Sequence, residues 1–136
     1  MSTPPNVVVV DDDIDHALIV RLVLSRLAPD AAIEVMTDPR ALAQRLVEGP
    51  RGALVFMDRQ LDGRDGIDLL PLLRAERPDL RTVLLSSALP EADRLRALAA
   101  GAYAATEKPG SLIGWQRLVE SMLGAGVTAP AQPHAA

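Results

Sequence analysis

A single carboxylate and a group of three carboxylates each follow an apolar run in this sequence, and their types and spacing are suited to chemistry. Asp58 comes directly after five apolar residues, and Asp11, Asp12 and Asp13 come after four consecutive valines. A continuous apolar run is typical of a strand buried on both faces of a parallel sheet, and open α/β sheets carry their functional groups at the carboxyl ends of such strands. Acids there could simply end a strand or cap a helix. Three successive carboxylates repel one another unless they share a cation, however, so the sequence predicts a metal site.

The single lysine of the chain and one serine stand near the ends of two further apolar segments. Of the 14 basic residues, 13 are arginine and one, Lys108, is lysine. Lysine presents a compact charge that the planar fork of arginine does not reproduce, although a lysine left by chance in an arginine-rich composition is the alternative interpretation. Ser86 is one of the two serines that end the segment of residues 81–87, and its hydroxyl can donate a hydrogen bond to an anion. We interpret His16 as a packed or surface helix residue rather than a metal ligand.

The composition predicts one globular domain and argues against several classes of protein. The 136 residues suffice for one domain with its own core, and 49% hydrophobic with 24% charged residues is ordinary for such a domain. The net charge of −4 argues against a nucleic-acid partner, and the absence of cysteine excludes disulfides and thiol chemistry. No signal-peptide pattern and no apolar run of about 18 residues is found, so we expect a cytoplasmic protein with no membrane partner.

Short apolar segments alternate with segments of helical periodicity five times along the chain. This alternation predicts an α/β fold, a doubly wound five-stranded parallel sheet of flavodoxin-like (βα)5 type with strand order 2-1-3-4-5. In that order the first and third strands end side by side, which brings Asp11 and Asp12 beside Asp58. Ser86 and Lys108 join them from the fourth and fifth strands. Three converging carboxylates favour Mg²⁺ with water as the remaining ligands, and a carboxylate can act as nucleophile toward a phosphoryl group.

Turn and capping residues predict the bounds of these segments. Strands are expected at residues 7–10, 32–36, 53–58, 81–87 and 103–106, and helices at 14–27, 38–47, 65–77, 90–100 and 112–123. Residues 1–124 form the predicted domain. Residues 125–136 have no apolar periodicity, and we interpret them as a disordered tail or a truncated linker.

The first predicted helix carries more apolar residues than one core-facing side requires. At about 100° per residue, an apolar arc from Ala17 to Leu27 faces the core. Ile14, Leu18 and Leu22 form a second row among the polar residues. Exposed apolar rows with polar rims mark interaction surfaces, so we predict partner docking there. The alternative is that the row packs against an adjoining element.

The order and spacing of these motifs resemble the receiver domains of two-component response regulators over about residues 6–123. The motifs that carry the resemblance are Val9-Val10-Asp11-Asp12-Asp13, Met57-Asp58-x-x-Leu61-x-Gly63-x-Asp65-Gly66, Leu84-Leu85-Ser86-Ser87, Ala99-Ala100-Gly101-Ala102 and Lys108-Pro109. The resemblance implies a phosphoacceptor module rather than an enzyme.

The resemblance also assigns roles to individual residues. Asp58 is then the phosphoacceptor. Asp12 and Asp58 contact Mg²⁺ directly, Asp11 acts through water, and the backbone carbonyl of Gln60 is the third protein ligand. Ser86 is the switch hydroxyl and Lys108 the phosphate-binding lysine. The implied partners are a histidine kinase or histidine phosphotransfer protein, which docks on the first helix, and a downstream protein target.

Three positions depart from the pattern of that family. Ala105 stands where an aromatic residue is usual, Asp62 stands where proline is usual, and Ser87 replaces alanine. Tyr103 shares a strand face with Ala105 by alternation, so it is the candidate substitute for the aromatic residue.

Two alternatives remain open from the sequence. One is a receiver fragment of a hybrid kinase or longer regulator. The other is a haloacid-dehalogenase-type phosphatase with Asp11 as nucleophile and Asp13 as acid, although Asp15 and the lack of room for a cap domain argue against it.

Overall fold

Five parallel strands form the central sheet. The computed structural model describes residues 6–38, 44, 49, 51–61 and 63–128, the last five of these by their backbone alone. The sheet strands are β1 (Asn6–Val10), β2 (Ala32–Met36), β3 (Leu54–Asp58), β6 (Arg81–Ser86) and β7 (Ala104–Glu107). They lie in the order β2-β1-β3-β6-β7. This order is the predicted 2-1-3-4-5 arrangement of a flavodoxin-like sheet, which is confirmed.

The described residues also form four helices and a small hairpin. The helices are α1 (Ile14–Leu27), α2 (Gly66–Glu76), α3 (Glu91–Ala100) and α4 (Leu112–Thr128), and the antiparallel hairpin consists of β4 (Gln60–Leu61) and β5 (Arg64–Asp65). The hairpin was not predicted. The helix expected over residues 38–47 lies almost wholly outside the described residues. No described helix is both long and apolar enough to cross a bilayer.

Alternation along each strand divides the core into two layers. Val7 and Val9 pack with α1 and α4, whereas Val8 and Val10 pack on the opposite face with α2 and α3. Successive side chains of a strand point to opposite faces, so a strand covered on both sides is apolar at every position. This double burial explains why the strands read as continuous apolar runs rather than as alternating patterns.

The last helix is longer than the sequence indicated. α4 extends from Leu112 to Thr128, whereas the predicted helix ended at Leu123. The prediction of a tail over residues 125–136 rests on their lack of apolar periodicity. Residues 125–128 of the predicted tail are therefore helical, and residues 129–136 lie outside the described part of the chain.

Candidate functional site

Asp11 and Asp58 extend two neighbouring strands at the same edge of the sheet. Val10 of β1 is paired with Met57 of β3, and the next residue of each strand is a carboxylate. Asp11 is 5% exposed and Asp58 6% exposed. Asp12 is exposed. One carboxylate oxygen from each of Asp11, Asp12 and Asp58 lies within 4.8 Å of the other two. The structure thus brings together the three acids that the sequence placed at this edge.

Burial makes this carboxylate cluster costly in the absence of a counter-ion. The pKa of Asp11 is raised from 3.8 to about 6, and desolvation by burial is the largest cause. The hydrogen bond from the Asp13 backbone N–H, 2.9 Å long, lowers this pKa, whereas the neighbouring charge of Asp58 raises it further. Clustered carboxylate oxygens are the donors that hard divalent cations prefer. The residues present therefore fit a magnesium ion.

Lys108 supplies a positive charge to the two buried acids. Its Nζ lies 3.3 Å from Asp58 Oδ2 and 3.9 Å from Asp11 Oδ2, and its side chain is 13% exposed. Its backbone N–H donates to the Ser86 carbonyl over 2.8 Å, which fixes the loop after β7 against the end of β6. His16, from the first turn of α1, places Nδ1 3.1 Å from the same Nζ.

The hydroxyl of Ser86 is buried at this edge but is engaged with its own loop. Ser86 follows Leu85, the β6 partner of Asp58, and is 4% exposed. Its hydroxyl donates to the Ala88 carbonyl over 2.7 Å. The side chain must therefore leave Ala88 before it can donate to a group on Asp58.

The backbone after Asp58 folds back tightly against the start of α2. The N–H of Gln60 donates to Asp58 Oδ1 over 3.3 Å, and the N–H of Gly66 donates to the Arg59 carbonyl. A Cβ atom on Gly66 would lie only 2.8 Å from the Asp58 carbonyl oxygen, so glycine is required by the close approach of the two segments. This placement keeps Gln60 beside the acids, while the use of its carbonyl as a ligand stays a prediction. Asp62 lies outside the described residues.

Arg59 is a residue that the sequence interpretation missed. Its guanidinium bonds both carboxylate oxygens of Asp65 at 3.2 Å and reaches Asp93 Oδ2 at 2.9 Å. Burial raises the pKa of Asp65, but hydrogen bonds from Arg59 and from the Ile67 N–H hold it below its ordinary value overall. Arg59 and Asp93 are 34 positions apart, and no local pattern pairs residues at that separation.

Tyr103 does not occupy the place of an aromatic residue at position 105. The Tyr103 ring stacks on the guanidinium of Arg81, with 5.8 Å from Arg81 Cζ to the ring centroid, and it is 37% exposed. Arg81 is the first residue of β6 and pairs with Leu54, the first residue of β3. It therefore lies at the amino end of the strands, whereas Asp58 lies at their carboxyl end. Ala105 is buried against α3. The predicted shared face does not bring the tyrosine ring toward the acids in this conformation.

The apolar row on α1 is exposed. Ile14, Leu18 and Leu22 are 60%, 53% and 50% exposed, whereas Ala17, Val20, Val23 and Leu24 on the same helix are buried. The row therefore does not pack into the core formed by the described residues, and its use as a docking surface stays a prediction.

Comparisons with known proteins agree on one family. The profile of the response regulator receiver domain matches residues 7–120. The DNA-binding transcriptional regulator NtrC of Azospirillum brasilense is 29% identical over 128 residues, which are 93% of this chain but 26% of that protein. The chain thus spans about a quarter of the length of this relative.

Solved structures show the same fold at low sequence identity. A response regulator receiver domain from Rhodospirillum rubrum matches with a TM-score of 0.78 and 23% identity, covering 90% of this chain and 94% of that one. The response regulator domain of CheB from Thermotoga maritima matches with a TM-score of 0.74 and 24% identity, covering 93% and 98%.

Proposed function

The chain belongs to the response regulator receiver domain family, and we propose that it takes a phosphoryl group onto Asp58 and thereby changes its binding to other proteins. The observation that carries the proposal is the position of Asp58. Its carboxylate is buried beside Asp11 and Asp12 and lies 3.3 Å from the only lysine of the chain. As a member of this family the chain is a signalling module, and self-phosphorylation with self-dephosphorylation is the only chemistry we expect of it.

The transfer step needs an attacking oxygen and positive charge around the phosphoryl group. An Asp58 oxygen forms a bond to phosphorus while the bond between phosphorus and the donor atom breaks, and the donor leaves with its electron pair. Asp11, Asp12, Asp58 and the Gln60 carbonyl are the residues that would hold Mg²⁺, which when bound offsets negative charge on the phosphoryl oxygens. Lys108 would bind one of these oxygens.

The readout would begin at Ser86. Its hydroxyl would exchange the Ala88 carbonyl for a phosphoryl oxygen, since an anionic acceptor makes the stronger hydrogen bond. The loop from Ser86 leads directly into α3, and Arg59, the residue after Asp58, bonds Asp93 in the first turn of α3. With Ala105 in place of an aromatic residue, these polar links are the route we propose between the phosphorylation site and the α3 surface.

The exposed row Ile14, Leu18 and Leu22 would dock the phosphodonor protein. It starts one residue after Asp13, so a helical partner lying along α1 reaches the edge where Asp58 lies. The proposed donor is a histidine kinase or a histidine phosphotransfer protein, and the output is a downstream protein target. A cytoplasmic location, without nucleic-acid or membrane contacts, remains part of this proposal.

Mapping of the phosphorylated residue tests the proposal. The chain is incubated with Mg²⁺ and a small-molecule phosphodonor, and the modified residue is located by mass spectrometry after the acyl phosphate is trapped. We expect phosphate on Asp58, no label in Asp58→Asn, and unchanged labelling in the exposed control Asp15→Asn. Undiminished labelling of Asp58→Asn would overturn the assignment, and label on Asp11 would favour the phosphatase alternative.

A further inference from the structure

Lys108 has a neighbour that the proposed phosphorylation chemistry does not use. The Nδ1 atom of His16 lies 3.1 Å from Lys108 Nζ, which is shorter than the 3.3 Å to Asp58 Oδ2 and the 3.9 Å to Asp11 Oδ2. The three neighbours come from α1, β3 and the end of β1. With the lysine side chain 13% exposed, these three groups rather than bulk water set where the ammonium lies.

The chemistry of the two side chains decides which atom donates. An ammonium group has N–H donors and no lone pair, so His16 Nδ1 must accept the hydrogen bond. This requires a neutral imidazole with its proton on Nε2. The same Nδ1 lies 3.4 Å from Asp13 Oδ2, and an ion pair with that carboxylate requires a proton on Nδ1. The two contacts are therefore mutually exclusive.

The charged groups around His16 come from two parts of the fold. Asp13, the cap of α1, and Lys108, in the loop after β7, contact the ring directly. Asp11 and Asp58 lie beyond the lysine. Asp12, just before the N-cap of α1, and Asp15, in its first turn, are exposed acids. An Nδ1 without a proton can accept from the lysine, whereas an Nδ1 that carries a proton can only donate to Asp13.

We propose that His16 is a positioning residue for Lys108, and that its Nδ1 lone pair holds the ammonium at the Asp58 oxygen where a phosphoryl group would be met. The effect on phosphorylation rests on the proposed function of Asp58, whereas the contact itself does not. Without the imidazole, Lys108 keeps two carboxylate neighbours on one side and loses the acceptor that fixes it from the side of α1. A less well-placed charge gives slower transfer.

The contact is tested by nitrogen NMR of the histidine rings in the whole chain at about pH 8, where an ordinary imidazole is neutral. The sequence has two histidines, His16 and His134, so His16→Asn identifies the signals of His16. We expect an unprotonated, hydrogen-bonded Nδ1 whose resonance shifts in Lys108→Met while that of His134 stays constant. A proton on Nδ1 in the wild type, or a resonance that ignores Lys108→Met, overturns the inference.

The consequence is tested by the rate of Asp58 phosphorylation with Mg²⁺ and a small-molecule donor. We expect His16→Ala to slow labelling severalfold and His16→Asn to restore most of the rate, because the asparagine carbonyl offers an acceptor near the position of Nδ1. In the Lys108→Met background His16→Ala should add nothing. Arg21→Ala, an exposed change further along α1, is the matched control and should leave the rate unchanged.

The possible outcomes separate the two proposals. If Asp58 is labelled in the wild type and His16→Ala is as fast, the positioning role is wrong while the proposed function stands. If His16→Ala and His16→Asn are equally slow with unchanged melting temperatures, the acceptor is not what matters, and the inference is again overturned. If the wild type itself is not labelled, the proposed function fails and the NMR result alone decides the contact.

Discussion

Arg59 Nη1 lies 2.9 Å from Asp93 Oδ2, so the residue that follows the proposed phosphoacceptor is tied to the first turn of α3. The same guanidinium pairs with Asp65, the N-cap of α2. One cation therefore joins the end of β3 to the starts of two helices.

A double-mutant cycle measures this link. With Arg59 and Asp93 each changed to alanine, singly and together, we expect a coupling of about 0.5–1 kcal/mol in the free energy of unfolding by urea, since the pair is partly buried. The exposed pair Glu91 and Arg94 on the same helix, 2.7 Å apart, is the control and should couple more weakly. Equal coupling in the two cycles would show that the Arg59 pair is an ordinary surface contact.

Asp11→Asn should stabilise the protein in the presence of a metal chelator. Because the pKa of Asp11 is raised from 3.8 to about 6, the folded state keeps a proton between these values that the unfolded state has released. Raising the pH from about 4 to about 6 therefore lowers the free energy of unfolding of the wild type, and the protein stays less stable at higher pH. We expect the free energy of unfolding of Asp11→Asn to exceed that of the wild type by roughly 1–2 kcal/mol above about pH 6, and the two to be equal below about pH 4.

Urea unfolding at a series of pH values checks this sign. Asp15→Asn, an exposed change nearby, should show no such pH-dependent gain. Added Mg²⁺ should stabilise the wild type more than Asp11→Asn, because binding to the folded state alone raises its stability. A constant difference between Asp11→Asn and the wild type at all pH values would contradict the assignment of the shift to Asp11.

Lys108→Arg should not behave as a conservative change. The guanidinium keeps the charge but is planar and broad, and the space between Asp58, Asp11 and His16 is filled by a compact ammonium. We expect phosphorylation of Asp58 to fall severalfold. The reverse exchange at an exposed site, Arg94→Lys, is the control and should leave the rate of Asp58 phosphorylation unchanged. An unchanged rate in Lys108→Arg would show that only the charge of Lys108 is needed.

Gly66→Ala should destabilise the fold near the site. The added Cβ would lie 2.8 Å from the Asp58 carbonyl oxygen, so either α2 or the loop after β3 must shift. Overpacking of this kind costs roughly 1–3 kcal/mol, measurable as a lower urea midpoint. Gly110→Ala is the matched control, because a Cβ there meets nothing within 4 Å. Equal midpoints for the two variants would mean that the close approach relaxes without cost.

Leu18→Ala combined with Leu22→Ala should separate docking from chemistry. Both side chains are about half exposed, so their loss should leave the melting temperature and small-donor phosphorylation unchanged. Binding of the cognate phosphodonor protein should weaken by about 1–2 kcal/mol for each truncated leucine, and phosphotransfer from it should slow accordingly. Truncation of the exposed Leu95 on α3 is the control. A joint fall of both phosphorylation routes and of the melting temperature would show that the row stabilises the fold.

The sheet and its order were predictable because buried strands leave continuous apolar runs and because parallel connections restrict topology. The same reasoning placed Asp11, Asp12 and Asp58 at one edge. The hairpin of Gln60–Leu61 and Arg64–Asp65 was missed, since strands of two residues have no periodicity to detect.

Contacts between distant segments could not be predicted in the same way. His16 was interpreted as an ordinary helix residue, because its relation to Lys108 appears only when the loop after β7 lies beside the start of α1. Tyr103 was predicted as the first residue of the last strand, but β7 begins at Ala104, so alternation along the strand does not apply to it. Its ring lies against the guanidinium of Arg81 instead. Such pairings depend on tertiary geometry rather than on local pattern.

The burial of Lys108 also allows the site to be probed by chemical modification of its amine. The other 13 basic residues are arginine, so an amine-selective acylating reagent can modify only one side chain and the chain terminus. Acylation needs an accessible, uncharged amine, and this one is confined among two carboxylates and an imidazole. Its rate of modification, read by intact-mass spectrometry, thus becomes an internal gauge of how tightly the ammonium is held whenever a ligand, a partner or a substitution alters its surroundings.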